Sequence, residues 1–118
     1  MATVTEDTLQ EIIDRIVNVA DPERIILFGS AAKGDMDENS NVDLLVIKGG
    51  DYDYYGIMGD IYMRLHGVEQ AVDVILVTPE QIEQYKDSHY LIIAPALKKA
   101  GKYTMFEKRY APDDPILV

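Results

Sequence analysis

The amino-acid sequence predicts an α/β (α+β) domain, a small mixed β-sheet with helices packed on one side of it. Short apolar runs, bounded by glycine or polar residues, alternate along the chain with segments whose apolar residues recur every three or four positions. The runs are typical of buried strands, and the segments are typical of amphipathic helices. Their order is helix, strand, strand, helix, strand, helix, helix, and this interleaving favours a sheet covered by helices.

The first predicted helix runs from Thr8 to Val19, and Asp21-Pro22 ends it. Its apolar residues have helical spacing, and they are Leu9, Ile12, Ile13, Ile16, Val17 and Ala20. Either Thr5 or Thr8 can cap the start, because a threonine hydroxyl accepts a hydrogen bond from a free backbone N–H of the first turn.

Three strands are predicted from apolar runs: Arg24–Phe28, Val42–Ile47 and Ala71–Val77. Gly49-Gly50 ends the second strand. Between the second and third strands, a helix is predicted over 54–65 with Gly67 as its left-handed C-cap residue.

The last part of the chain predicts two more helices and an edge strand. Thr78 is the expected cap of the first, with Pro79 at its first position and Gln81 three residues after the cap. The second covers 90–100 with a kink or late start at Pro95, and residues 103–106 form a short edge strand. Residues 1–110 are expected to form a single domain, followed by an extended tail over 111–118.

Composition narrows the classes of function. The chain has no cysteine, which excludes disulfides and thiolate metal sites. Its net charge of −10 argues against binding of polymeric nucleic acid, which needs a basic surface. The charge is compatible with a protein partner that has a basic face, or with a role in solubility alone. Neither a signal peptide nor a membrane span is apparent, so a cytoplasmic location is expected.

The most informative segment lies between the first two strands. Gly29-Ser30 follows the first strand, and ten residues separate this pair from Asn41-Val42-Asp43. Gly29 allows a sharp turn and close approach of a phosphate, while Ser30 supplies a hydroxyl and a backbone N–H. Lys33 can place an ammonium group near the same phosphates. The segment therefore predicts a nucleotide-binding turn.

Oxygen ligands for a metal ion follow this turn. Asn41 and Asp43 are two residues apart on a strand, so their side chains point to the same side. Asp73 lies in the apolar third strand and reaches the same place if the two strands are neighbours. Two carboxylates and an amide facing a phosphate-binding turn suit Mg²⁺. In the alternative interpretation, Asp43 pairs with Lys33, and Asp73 is an edge residue in water.

These residues resemble the signature of the DNA polymerase beta-like nucleotidyltransferase superfamily, in which Gly-Ser, a spacer of about ten residues and Asp-x-Asp follow one another. The chain as far as Glu107 resembles the small stand-alone members called minimal nucleotidyltransferases. The resemblance implies Mg²⁺-dependent transfer of a nucleoside monophosphate, AMP, from a nucleoside triphosphate such as ATP to a hydroxyl. It also implies an antitoxin role beside a helical toxin of the HEPN type.

The resemblance assigns roles to individual residues. Gly29, Ser30 and Lys33 would bind the triphosphate, and Asp43 would ligate metal. Asp73 would be a further metal ligand and would help to accept the proton of the attacking hydroxyl.

Asn41 departs from the family pattern, because it stands where the first aspartate is expected. Its carbonyl oxygen can ligate a metal but carries no charge, so weakened metal binding is expected. Two further hypotheses follow: a module that binds nucleotide without transfer, and a subunit that acts by covering a partner.

Three tyrosines, Tyr52, Tyr54 and Tyr55, precede or begin the second predicted helix. They can stack on a nucleobase or anchor a partner. The alternative is that they form the half-buried start of the helix.

Overall fold

The computed structural model describes residues 5–28, 42–85 and 104–108. Their elements are, in chain order, α1 (Glu6–Ala20), β1 (Arg24–Phe28), β2 (Val42–Ile47), α2 (Tyr54–Arg64), β3 (Val72–Val77), α3 (Pro79–Tyr85) and β4 (Thr104–Glu107). Predictions for the helix over 90–100, its kink at Pro95 and the tail over 111–118 lie outside the described residues.

The four strands form one mixed sheet in the order β3-β2-β1-β4. β2 and β3 are parallel, and α2 connects them, whereas β1 is antiparallel to both β2 and β4. This arrangement confirms the predicted fold class. The expected edge strand is also confirmed, since β4 lies at the end of the described sheet.

The ends of the helices follow from local chemistry that the sequence predicted. The Thr5 hydroxyl accepts a hydrogen bond from the Thr8 backbone N–H at 3.1 Å, so Thr5 rather than Thr8 is the cap. Asp21 ends α1 in the left-handed conformation with φ of 47°. Gly67 has the expected left-handed conformation, with φ of 93°, but it is not the C-cap of α2, which is Leu65 in the right-handed helical region.

A capping box begins α3 directly after β3. The Gln81 backbone N–H donates to the Thr78 hydroxyl at 3.0 Å, and the Thr78 backbone N–H donates to the Gln81 side-chain oxygen at 2.9 Å. Both donors would otherwise lack a partner within the helix. The predicted helix start is therefore confirmed.

The main core lies between one face of the sheet and the helices α1 and α2. It contains buried residues from both helices and from three strands, including Ile12, Ile16, Ile25, Leu44, Val46, Ile61, Leu65 and Val74.

The expectation that the helices pack on one side of the sheet holds for α1 and α2. Ile82 of α3, however, packs on the opposite face against a second cluster formed by Ile26, Leu45, Ile47 and Val77. The capping box starts α3 immediately after Val77, which brings Ile82 onto this face.

Candidate functional site

Asp43 and Asp73 occupy paired positions on the neighbouring parallel strands β2 and β3. Paired residues of adjacent strands point to the same face of a sheet. The neighbours of Asp43, Val42 and Leu44, belong to the main core, so Asp43 points away from α1 and α2. Both carboxylates therefore share the second face of the sheet, at the end where β2 and β3 begin.

The side chain of Asp43 is partly buried. Burial raises the pKa of the Asp43 carboxyl above its ordinary value, and the negative charge of Asp73 and a hydrogen bond between the two side chains raise it further. Asp73 itself is more exposed to solvent. Two carboxylates that meet in this way repel each other unless a proton or a cation lies between them.

This donor set fits a divalent cation. Carboxylate oxygens are the ligands that Mg²⁺ prefers, and a cation would replace the repulsion between the two carboxylates with attraction. The described residues contain no group of three or more acidic, histidine or cysteine side chains that could hold a metal. The two aspartates are thus the described half of the predicted metal site, and Asn41, the third predicted ligand, lies outside the described residues.

The predicted phosphate-binding half also lies outside the described residues, since Gly29, Ser30 and Lys33 follow the last described residue of β1. Phe28 is that residue, and it pairs with Asp43 across β1 and β2. β1 therefore ends at the same end of the sheet as Asp43 and Asp73. The roles of Gly29, Ser30 and Lys33 in nucleotide binding remain predictions.

Tyr62 is a residue near the site that sequence reasoning missed. Its hydroxyl accepts a hydrogen bond from the Val74 backbone N–H at 3.0 Å. Val74 directly follows Asp73, so this bond helps to fix the strand that carries the second carboxylate. The partner of Tyr62 is a backbone group of another element, and helical periodicity contains no signal for such a contact.

The tyrosine cluster divides between two environments. The Tyr52 hydroxyl donates to the Lys48 backbone carbonyl at 2.9 Å, and the Lys48 ammonium lies 5.3 Å from the centre of the Tyr52 ring. Tyr54 and Tyr55 meet edge to face with 5.1 Å between ring centroids. Both are exposed, and they follow the far end of β2 from Asp43. Their position gives no support to stacking on a nucleobase held at the two aspartates.

The described part of the chain contains no helix that is both long and apolar enough to span a membrane.

An open groove of about 490 Å³ lies along α1, and it is lined by Gln10, Asp14, Arg64 and other polar residues. Asp43 and Asp73 are not part of its lining.

The mixed sheet, with two acidic side chains paired at the start of its parallel strands, is consistent with the nucleotidyltransferase class that the motif indicated. Comparison with known families establishes that class: the family described as "Polymerase beta, Nucleotidyltransferase" matches residues 10–94. This match covers more than half of the chain, and the chain therefore belongs to that family.

A solved structure has a similar fold. It is a protein from Sulfolobus solfataricus described as a "putative nucleotidyltransferase", and it superposes with a TM-score of 0.51 at 24% sequence identity. The superposition covers 69% of this chain and 73% of that chain. At this identity the likeness concerns the fold. No curated protein sequence matches the chain.

Proposed function

We propose that this chain is a minimal nucleotidyltransferase that transfers AMP from ATP to a hydroxyl group of a protein partner. The observation that carries the proposal is the pairing of Asp43 with Asp73 on β2 and β3, within a chain that belongs to a nucleotidyltransferase family. Structural carboxylates at the surface normally stay apart or pair with lysine or arginine, whereas these two meet each other.

In the proposed reaction, the oxygen of the acceptor hydroxyl attacks the α-phosphorus of ATP. A new phosphorus–oxygen bond forms, and the bond between the α-phosphorus and the oxygen that bridges to the β-phosphate breaks. Pyrophosphate leaves, and the proton of the hydroxyl passes to the carboxylate of Asp73. This assignment follows from exposure, since Asp73 is the more accessible carboxylate of the pair.

Asp43 and Asp73 would hold Mg²⁺, with Asn41 as a neutral third ligand. When bound, the ion would offset the negative charge of the phosphates and hold them in line with the acceptor. Gly29, Ser30 and Lys33 would bind the triphosphate, and the support is that their segment follows Phe28 in the chain, the residue of β1 that pairs with Asp43.

The proposed acceptor is a helical protein of the HEPN type, which this chain would inactivate as an antitoxin in the cytoplasm. The support is the family resemblance together with the net charge of −10, since an acidic enzyme associates readily with a partner that has a basic face.

Incubation with α-labelled ATP, Mg²⁺ and the protein encoded by the neighbouring gene tests this proposal. Label should move to the partner, and Asp43→Asn and Asp73→Asn should each reduce the transfer by at least about a hundredfold, given the several kcal/mol that a charged metal ligand contributes. Asp51→Asn is the matched control, because it removes one exposed carboxylate that lies beyond the far end of β2 from Asp43. Equal transfer by all four proteins would overturn the proposal.

Asn41 favours a second candidate function, in which the site binds nucleotide without transferring it. A neutral ligand in place of an aspartate weakens metal binding and, with it, the chemical step. ATP binding by the wild-type chain without label transfer, combined with transfer by Asn41→Asp, would support this candidate. A partner complex that Asp43→Ala leaves unchanged, without nucleotide binding, would instead indicate a subunit that acts by contact alone.

A further inference from the structure

The solvent-facing side of α2 is unusually apolar for this protein. The large hydrophobic residues that are exposed in the described part of the chain all lie on this helix: Tyr54, Tyr55, Tyr62 and Met63. Tyr55 is 82% exposed, Met63 is 77% exposed and Tyr62 is 44% exposed. Tyr55, Gly59, Tyr62 and Met63 are three or four residues apart along the helix and form one stripe. We call this stripe the α2 outer face.

The other side of the same helix already forms the core. Ile61 is fully buried, and Ile57 and Met58 pack against the main cluster. A helix that is apolar on both sides normally has a neighbour on each of them. In contrast, α1 buries Ile12 and Ile16 and directs acidic residues such as Glu11 and Asp14 to solvent.

Gly59 provides an independent observation. A Cβ atom at this position would meet nothing within 4 Å, so contacts inside the chain do not require glycine there. Glycine destabilises the middle of a helix relative to alanine. Gly56 is different, since a Cβ there would lie 2.8 Å from the Asp53 carboxylate. At Gly59 the missing side chain leaves a flat place between Tyr55 and Met63 where another backbone can approach closely.

The charges around the outer face determine which occupant fits. Asp53 and Asp60 are exposed beside the stripe, and Arg64 follows it at the end of the helix. A second copy of this chain would bring like surfaces together around a two-fold axis, and each copy carries a net charge of −10. A partner with apolar side chains flanked by lysine or arginine would instead meet opposite charge.

We infer that the α2 outer face binds an amphipathic helix of another protein whose apolar stripe is flanked by basic residues. Tyr55 and Met63 contact the apolar stripe, the helix backbone passes over Gly59, and Asp53 and Asp60 attract the flanking lysines or arginines. α2 lies against the face of the sheet opposite to Asp43. Tyr62 contacts β3 through the Val74 backbone N–H, whereas Tyr55 and Met63, the two residues changed in the test below, are exposed to solvent. The inference therefore does not depend on the proposed function.

Two matched peptides test the chemistry with the full chain. Both are amphipathic helices with the same leucine stripe, and one has lysine and the other glutamate on each side of it. Titration of the isotope-labelled chain should shift amide resonances of α2, with the lysine peptide binding at least tenfold more tightly than the glutamate peptide. The charge-neutral double variant Tyr55→Ser with Met63→Ser should bind the lysine peptide at least tenfold more weakly than wild type.

Gln10→Ser, at an exposed position of α1, is the control variant and should bind like wild type. Thermal unfolding of each variant verifies that it is folded, which is expected because Tyr55 and Met63 are exposed. The inference is overturned if neither peptide binds, if both bind alike, or if the shifts map outside α2. Concentration-dependent dimerisation that the double variant abolishes would also overturn it, in favour of a second copy as the occupant.

Discussion

Asp43 and Asp73 meet across the β2–β3 pair, and the pKa of Asp43 is raised by burial and by the charge of Asp73. The pair therefore works against folding whenever both groups are ionised and no cation lies between them. This relationship connects the fold to the proposed chemistry. A bound cation would replace the repulsion between the two carboxylates with attraction, and it would therefore raise the free energy of unfolding.

The first prediction concerns pH. An acid whose pKa is higher in the folded state contributes stability below its unfolded value, and that contribution is lost as the pH rises through the folded pKa. For Asp43 the loss begins above the ordinary value of 3.8. At pH 7 without divalent ions, Asp43→Asn should therefore be more stable than wild type by about 0.2–1 kcal/mol, the usual cost of opposed like charges on neighbouring strands.

Urea unfolding of wild type and Asp43→Asn between pH 4 and 7.5, in the presence of a chelator, measures this difference. It should shrink as the pH falls toward 4, because the wild-type carboxyl becomes protonated. Asp60→Asn controls for the change in net charge and should show a smaller effect. A wild-type chain that is the more stable of the two at pH 7 would contradict the prediction.

The second prediction concerns Asn41. A unit charge at about 4 Å contributes roughly 4 kcal/mol at an effective dielectric near 20, so Asn41→Asp should tighten Mg²⁺ binding by at least about a hundredfold. Isothermal titration of both proteins with Mg²⁺ in the presence of ATP measures the affinities. Equal affinities would refute the prediction and would show that position 41 does not contact the metal.

The third prediction concerns the hydrogen bond from the Val74 backbone N–H to the Tyr62 hydroxyl. Tyr62→Phe removes the acceptor and keeps the ring, and it should lower the free energy of unfolding by about 0.5–1.5 kcal/mol. The Val74 amide should also exchange faster with solvent in the native state. Tyr55→Phe is the matched control, because Tyr55 is 82% exposed, and it should change the stability by less than about 0.5 kcal/mol.

The fourth prediction compares two glycines. The Gly49 backbone N–H donates to the Glu23 carboxylate at 2.6 Å, and a Cβ at Gly49 would lie 2.6 Å from the same oxygen. Gly49→Ala should displace Glu23 and cost about 1.5–3 kcal/mol, the contribution of a hydrogen bond to a charged group. Gly59→Ala meets no atom within 4 Å and should stabilise the chain by about 0.5–1 kcal/mol.

Denaturant unfolding of both alanine variants separates the two effects. Stabilisation by Gly49→Ala would show that Glu23 moves at no cost. Destabilisation by Gly59→Ala would show that this helix position has an internal contact after all.

Local patterns in the sequence determine much of the fold. The bounds of β1 and β2 match the apolar runs, and Thr5 and Thr78 cap α1 and α3 where they were expected. These features depend on neighbours within a few residues along the chain, so periodicity and side-chain chemistry suffice to predict them. The Gly-Ser segment and its spacing to Asp43 also indicate the family without reference to the fold.

The tertiary structure determined which residues that are far apart in the sequence contact one another. The sequence allowed Asp73 to reach Asp43 if their strands were neighbours, and the parallel register of β2 and β3 makes them partners. The contact of Tyr62 with Val74, the packing of Ile82 on the second face and the exposure of Tyr55 and Met63 follow from the same assembly. Strand order and helix orientation result from the packing of the whole core, and a short stretch of sequence does not contain that information.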